Sequence, residues 1–348
     1  MKKAISILLI VCMALTLLVG CGTTAESTPA ASDAAPAQDA AAPEKTYSFK
    51  MGHSQAVDHP FNDTCEYFAA LVNEKTGGAV TIDIFPNSQL GDEATMMESL
   101  SMGSLDFLMA NGANTAALVP ELGLMGVCYL FDSEEHLVKV TEDEEIFSMF
   151  NSKIDEKGLG IKLLNLMGNG TRNLYTNAPV ESLEDLKGMK IRVMPSAVDT
   201  LVWNTLGATA TTVAFSEVYS ALQTNLIDGA ENTFSSYAAS KHYEVAPYVT
   251  ETHHQWLVTE LWASEKALSQ LPQEYVDAIY EAAQETASYS LQHQLEVDAA
   301  YCEQLKESGV TFIEVDIEPW KALILPLHEQ IAADLGCTEI LARINELR

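Results

Sequence analysis

Residues 188–232 read GMKIRVMPSAVDTLVWNTLGATATTVAFSEVYSALQTNLIDGAEN, and the order of elements in them decides the fold. A strand-forming run from Lys190 to Met194 carries Arg192. Ser196 then caps a helix whose inner face is Val198, Leu201 and Val202, and Gly207 stops it. A second strand, Thr209 to Phe215, leads into a helix capped by Ser216 that buries Val218, Ala221 and Leu222, and DGAEN, Asp228 to Asn232, closes the stretch as a turn. Strands and helices alternating in this way form α/β layers rather than a bundle or a sandwich. Upstream, GNGTRNLYTN sets Arg172 in another strand-forming run. Arginine offers a planar fork of donors that matches a carboxylate two bonds at a time, which lysine cannot do.

Working outward, further strands are expected at Thr46 to His53, Ala79 to Phe85, Leu105 to Asn111, Ile161 to Leu166 and Arg172 to Thr176. Phe61, Cys65, Phe68 and Val72 recur at helical spacing until Gly77 and Gly78 end the pattern. From Pro272 to Ser308 there is no glycine or proline. A helix of about 36 residues is roughly 54 Å long, wider than one small lobe, so it should bridge two.

The first residues have a different character. Met1, Lys2 and Lys3 precede an apolar run, Ala4 to Val19, too short for a comfortable membrane span and charged at its start like a signal peptide. With Gly20 before it, Cys21 is the expected site of lipid attachment, which makes 1–20 a lipoprotein leader. Residues 21–45 are rich in alanine, proline, serine and threonine, so they are expected to form a flexible tether. The net charge of −30 argues against nucleic acid or an anionic lipid surface as partner. It leaves an anionic solute open, because exposed charges are screened beyond about 8 to 10 Å at physiological salt.

Cys65, Cys128, Cys302 and Cys337 are widely spaced and sit in apolar stretches, so they read as buried thiols; no C-x-x-C pair supports zinc, and no metal is expected. His253 and His254 are adjacent in an extended run, where they point to opposite faces and cannot easily share an ion; with Trp256 they read as structural. The chain lacks a G-x-S-x-G elbow, a phosphate-cradling G-x-x-x-x-G-K-[ST], an H-E-x-x-H pair and a G-x-G-x-x-G turn after a strand. Its acid pairs, Glu134 with Glu135 and Glu142 to Glu145, read as a solvated helix face. A binding protein is therefore favoured over the competing class, a secreted lipoprotein enzyme acting on an acidic sugar.

The words LKGMKIRV (Leu186 to Val193), FSEVYSALQT (Phe215 to Thr224) and DGAEN resemble the solute receptors of tripartite ATP-independent periplasmic (TRAP) transporters, the DctP family. FPNSQLGD (Phe85 to Asp92), MGSLDF (Met102 to Phe107) and KHYEVAPYVTETHH (Lys241 to His254) continue the resemblance, which covers roughly 46–335. It implies a two-lobed α/β fold of the class II periplasmic-binding-protein type, with several crossings between lobes and a long bridging helix. On that reading lobe I is 46–170 plus about 258–297, lobe II is 171–257 plus about 298–335, and 336–348 form a C-terminal helix.

The resemblance also implies a function: a monomeric, lipid-anchored receptor outside the cytoplasmic membrane that needs no cofactor. It would close by a hinge over a small organic acid anion and pass it to the small and large membrane subunits of a TRAP permease. In the family the arginine of the KIRV word clamps the solute carboxylate, and the earlier arginine and the asparagine of the DGxEN word assist. These fall on Arg192, Arg172 and Asn232. Two isolated arginines among many acids would otherwise be read as surface ion pairs. Phe215 is expected to wall the solute, and Asn111 and Asn114 stand at a strand end where open sheets place ligands. His53, His59 and Tyr237 are further candidates for sugar hydroxyls. The run ENTFSSYAASKHYEVAPY resembles members that bind uronic acids, with C4-dicarboxylates and sialic acid as the alternatives.

Overall fold

The structure is a computed structural model and describes residues 45–348. The expected leader, Cys21 and the tether up to residue 44 lie outside the described residues.

The strands are β1 (Tyr47–Gly52), β2 (Val80–Phe85), β3 (Phe107–Asn111), β4 (Ile161–Thr176), β5 (Lys190–Val193), β6 (Thr209–Thr212), β7 (Gly229–Asn232), β8 (Tyr248–Ser264) and β9 (Thr311–Glu314). They form one sheet in the order β2-β1-β3-β8-β4-β7-β5-β6, with β9 on β8. Neighbours run parallel within β2-β1-β3 and within β7-β5-β6, and antiparallel where β8 and β4 join them. The two halves are thus doubly wound α/β units sharing a pair of long central strands.

That sharing explains the main departures from the expected elements. The runs Ile161 to Leu166 and Arg172 to Thr176 are one strand of 16 residues, β4, antiparallel to the 17-residue β8. The register between them slips at Leu163/Asn165, Gly168/Thr171 and Arg172/Leu174. Gly170 has φ +82 and a side chain there would strike Asp298, so glycine is required at this bend. DGAEN is not a turn: Gly229 to Asn232 form β7, held against β4 from Asn173 to Thr176. Its four residues are all buried in the sheet, and that pairing partner is distant in sequence.

Local details also shift. Ser196 caps its helix as expected, with Oγ accepting from the Asp199 amide, but Trp203 rather than Leu201 turns inward and Leu201 is exposed. The expected strand ending at Phe215 stops at Thr212; Phe215 to Glu217 form a 3-10 turn, so Ser216 caps nothing and the helix starts at Val218. Cys65, Cys128 and Cys337 are buried free thiols, whereas Cys302 is only partly buried.

The stretch after Pro272 is a single helix, Gln273–Glu307. Its first half packs Ile279, Ala282 and Ala283 against Phe49, Phe68 and Phe107 under one half of the sheet. Its far end packs Leu305 with Tyr175, Val218 and Leu222 under the other. Its 35 residues span about 52 Å at 1.5 Å each, so it bridges both halves. A larger core on the opposite sheet face runs from Leu108 through Leu166 and Leu174 to Ile191 and Val202.

Candidate functional site

Arg192 on β5 and Arg172 on β4 come together at the boundary between the halves, both almost fully buried. Arg172 is bound closely by its own protein. Its Nε and Nη2 donate to the two carboxylate oxygens of Glu231, the latter at 2.8 Å, and Nη2 donates to the Glu231 carbonyl at 2.9 Å. Nη1 donates to Asn232 Oδ1 at 3.1 Å. Four of its five N–H groups are thereby used.

Glu231 lies on β7, inside the DGAEN word, and its burial would favour the neutral acid. The Arg172 charge and the bonds from His254 and Arg172 outweigh this and bring its carboxyl down to about 2. His254 Nε2 stands 3.2 Å from Glu231 Oε2, and its Nδ1 pairs with Thr252 Oγ1 at 2.8 Å. Burial lowers the His254 pKa despite the glutamate. The structural role expected of the histidine pair thus holds for His254, which anchors the floor of the site.

Arg192 is differently placed. Its Nε donates to the Val213 carbonyl at 2.9 Å, and among the described residues no protein acceptor takes either terminal amine. Burial lowers its pKa, with Glu231 opposing. Phe215, half-buried, sets its ring centroid 5.9 Å from the guanidinium carbon. Asp199, buried on the neighbouring helix with Oδ2 unbonded, is raised to about 7 by burial and by the Glu231 charge.

Two small adjoining cavities open at these groups, of about 30 and 50 Å³. Arg192, Phe215, Ser54, Glu93 and Asn114 line both; Arg172, Asn232 and Asn111 line the first. Asn232 Oδ1 accepts from Arg172 and from the Thr233 amide, which turns its NH2 away from them. Asn114 Nδ2 donates to Glu93 Oε2 at 2.9 Å, leaving its carbonyl oxygen unused among the described residues.

The remaining expectations are corrected. Asn111 lines the cavity, but its side chain is spent: Oδ1 accepts from the Ala113 amide and Nδ2 donates to the Val258 carbonyl. His53 is fully buried against Asn62, and His59 caps a helix through Nδ1 while Nε2 meets Ser236 Oγ at 3.0 Å. Neither lines the cavities; they flank Phe61, which does. Tyr237 is a core residue whose hydroxyl donates to the Ala246 carbonyl at 2.7 Å. Conversely, Glu231, Glu93 and Ser54 escaped the sequence reading. Glu231 stood inside a quoted word and Glu93 one residue past another, but their partners lie 59 and 39 positions away.

Comparison with known proteins follows this geometry. Residues 51–334 match the family described as bacterial extracellular solute-binding protein, family 7 (DctP). The C4-dicarboxylate-binding periplasmic protein DctP of Rhodobacter capsulatus is 31% identical over 84% of this chain and 89% of its own length. Among solved structures, a TRAP periplasmic solute-binding protein from Chromohalobacter salexigens with bound D-glucuronate superposes with a TM-score of 0.81 at 30% identity, covering 86% of this chain and all of that one. Another from Xanthobacter autotrophicus, with bound β-D-galacturonate, gives 0.81 at 29% identity over the same shares.

Proposed function

This chain belongs to family 7 of the bacterial extracellular solute-binding proteins, and we propose that its cleft captures a sugar acid, specifically a uronate, with Arg192 as the carboxylate clamp. Membership makes it an extracytoplasmic receptor of TRAP transport rather than an enzyme. The observation that carries the clamp is the contrast at the boundary of the halves: Arg192 keeps its terminal amines free of protein acceptors while facing a cavity, and Arg172 does not. A carboxylate seated on those amines makes two parallel charge-assisted bonds, with Asn232 and the last N–H of Arg172 beside it. Phe215 supplies an apolar wall for a sugar face. The uronates bound by the two solved relatives support the solute class.

The cavities are far smaller than a hexuronate, so entry requires the halves to part. We read the bends of β4 and β8 as the hinge and the closed form as the state that the permease receives. The receptor acts as a monomer tethered by lipid on Cys21; Cys21→Ser should free it from the membrane fraction with unchanged affinity, and full retention would sink the anchor.

The solute reading is tested by calorimetry on residues 45–348 with glucuronate, galacturonate, an aldonate, succinate and sialic acid. A uronate should bind tightest, and Arg192→Ala should weaken it by roughly a hundredfold to several thousandfold, the equivalent of about 3 to 5 kcal/mol for a buried charge left unpaired. Lysine should restore only part, since it keeps the charge and loses the fork. Parental affinity in Arg192→Ala would remove the clamp, and a tighter fit for succinate would replace the uronate with a dicarboxylate.

A further inference from the structure

Facing Arg192 across the same two cavities is a buried anion. Glu93, only 5% exposed, lines both. Its Oε1 accepts from Ser54 Oγ, and its Oε2 accepts from the Asn111 amide and from Asn114 Nδ2, each at 2.9 Å. A carboxylate has about four acceptor sites; three are taken by neutral donors that fix it in place. Among the described residues no cation pairs with it, and the cavities are lined by no cationic side chain other than the two arginines.

The charges around the cleft can then be summed by sign. Arg172 is cancelled by Glu231. Arg192 is the one uncancelled cation, and Glu93 and Asp92 stand against it on the opposite wall. Beneath Glu93, the fully buried Glu260 approaches Gly112 closely enough that a Cβ there would lie 2.7 Å from its Oε1. Burial and then the Glu93 charge push Glu260 well up, so the field on this wall is negative.

We propose that Glu93 is the specificity-determining residue of the cleft: its carboxylate accepts hydrogen bonds from solute hydroxyls at the end remote from Arg192 and turns away a second carboxylate. The solute class is thereby narrowed to singly charged polyhydroxy acids, with sugar diacids and C4-dicarboxylates excluded. This rests on the clamp reading above. A hydroxyl donates into the remaining acceptor site of Glu93 and can accept from Ser54 or leave its oxygen near Asn114. A carboxylate in that place has no donor proton to offer and meets a like charge in a poorly solvated space, which is strongly unfavourable.

The test compares matched pairs that differ only by a second carboxylate, D-glucuronate with D-glucarate and butyrate with succinate, by calorimetry at neutral pH. The parent should prefer glucuronate over glucarate by at least about a hundredfold. Glu93→Gln keeps the shape and removes the charge, so it should weaken glucuronate by about tenfold and shrink the preference by tenfold or more. Glu93→Asp retains the charge and should keep the preference even as affinity falls, and it serves if the glutamine variant does not fold by circular dichroism. An unchanged ratio in Glu93→Gln, or a parent that binds glucarate or succinate as tightly as its monoacid partner, overturns the proposal. If the parent binds none of the four, both this inference and the uronate reading fall. If Arg192→Ala binds normally while Glu93→Gln loses discrimination, the clamp fails and the role of Glu93 stands.

Discussion

Arg172 and Arg192 are equally buried and sit on strands of the same sheet, yet only one is available. Arg172 meets Glu231, whose backbone carbonyl and both carboxylate oxygens it grips, with Asn232 taking a fourth bond. Arg192 meets a single backbone carbonyl. The comparison teaches that burial does not by itself make an arginine a binding group; the partner decides. A guanidinium whose forks are filled is part of the frame, and one whose forks are open to a cavity is a receptor for an anion.

The comparison breaks most visibly through stability. Glu231→Ala strands the Arg172 charge and should cost about 3 to 5 kcal/mol of unfolding free energy in urea. Arg192→Ala should cost little or none in the solute-free protein, because the charge it removes has no ion-pair partner, so its loss appears in affinity alone. Equal destabilisation by the two variants would erase the distinction.

Acid sharpens it. The Glu231 carboxyl is held at about 2, below its ordinary 4.5. A depressed acid contributes stability that is fully present above about pH 4.5 and is lost as pH falls toward 2, on the order of 3 kcal/mol in all. Glu231→Gln should therefore flatten the acid limb of a stability profile in that window. Asp199 moves the opposite way: raised to about 7 from 3.8, it keeps a proton in the folded state, so its contribution falls as pH rises between those values. Against Asp199→Asn, the parent should lose relative stability from pH 4 to pH 7 and no further above it. A pH-independent difference would mean that Asp199 is ionised throughout.

The smallest effect tests what lies outside the site. Tyr237→Phe removes one buried hydrogen bond to the Ala246 carbonyl and should cost about 1 kcal/mol of stability. Affinity should be unchanged; a solute-specific loss would return Tyr237 to the cleft.

Local sequence was a good guide wherever one element answers to its own residues. Phe61, Cys65, Phe68 and Val72 face the core as their spacing requires, Ser196 caps its helix, and the glycine-free stretch after Pro272 is one long helix. Even the two arginines and Asn232 converge as the resemblance implied. What failed were positions whose state depends on a partner. β7 is a strand because β4 pairs with it. β4 is one strand because β8 runs beside it past each bulge.

By itself, then, the sequence determined the α/β class, the helix faces and the residue types at the cleft, because periodicity, caps and side-chain chemistry are properties of neighbours in the chain. Tertiary structure alone decided which arginine is free, that Asn111 and Tyr237 spend their polar groups on backbone, and that Glu93 faces Arg192. Each of those outcomes is a hydrogen-bond or charge balance between groups dozens of residues apart. Only folding brings the competing partners within reach, and in a buried site the nearest partner takes the bond.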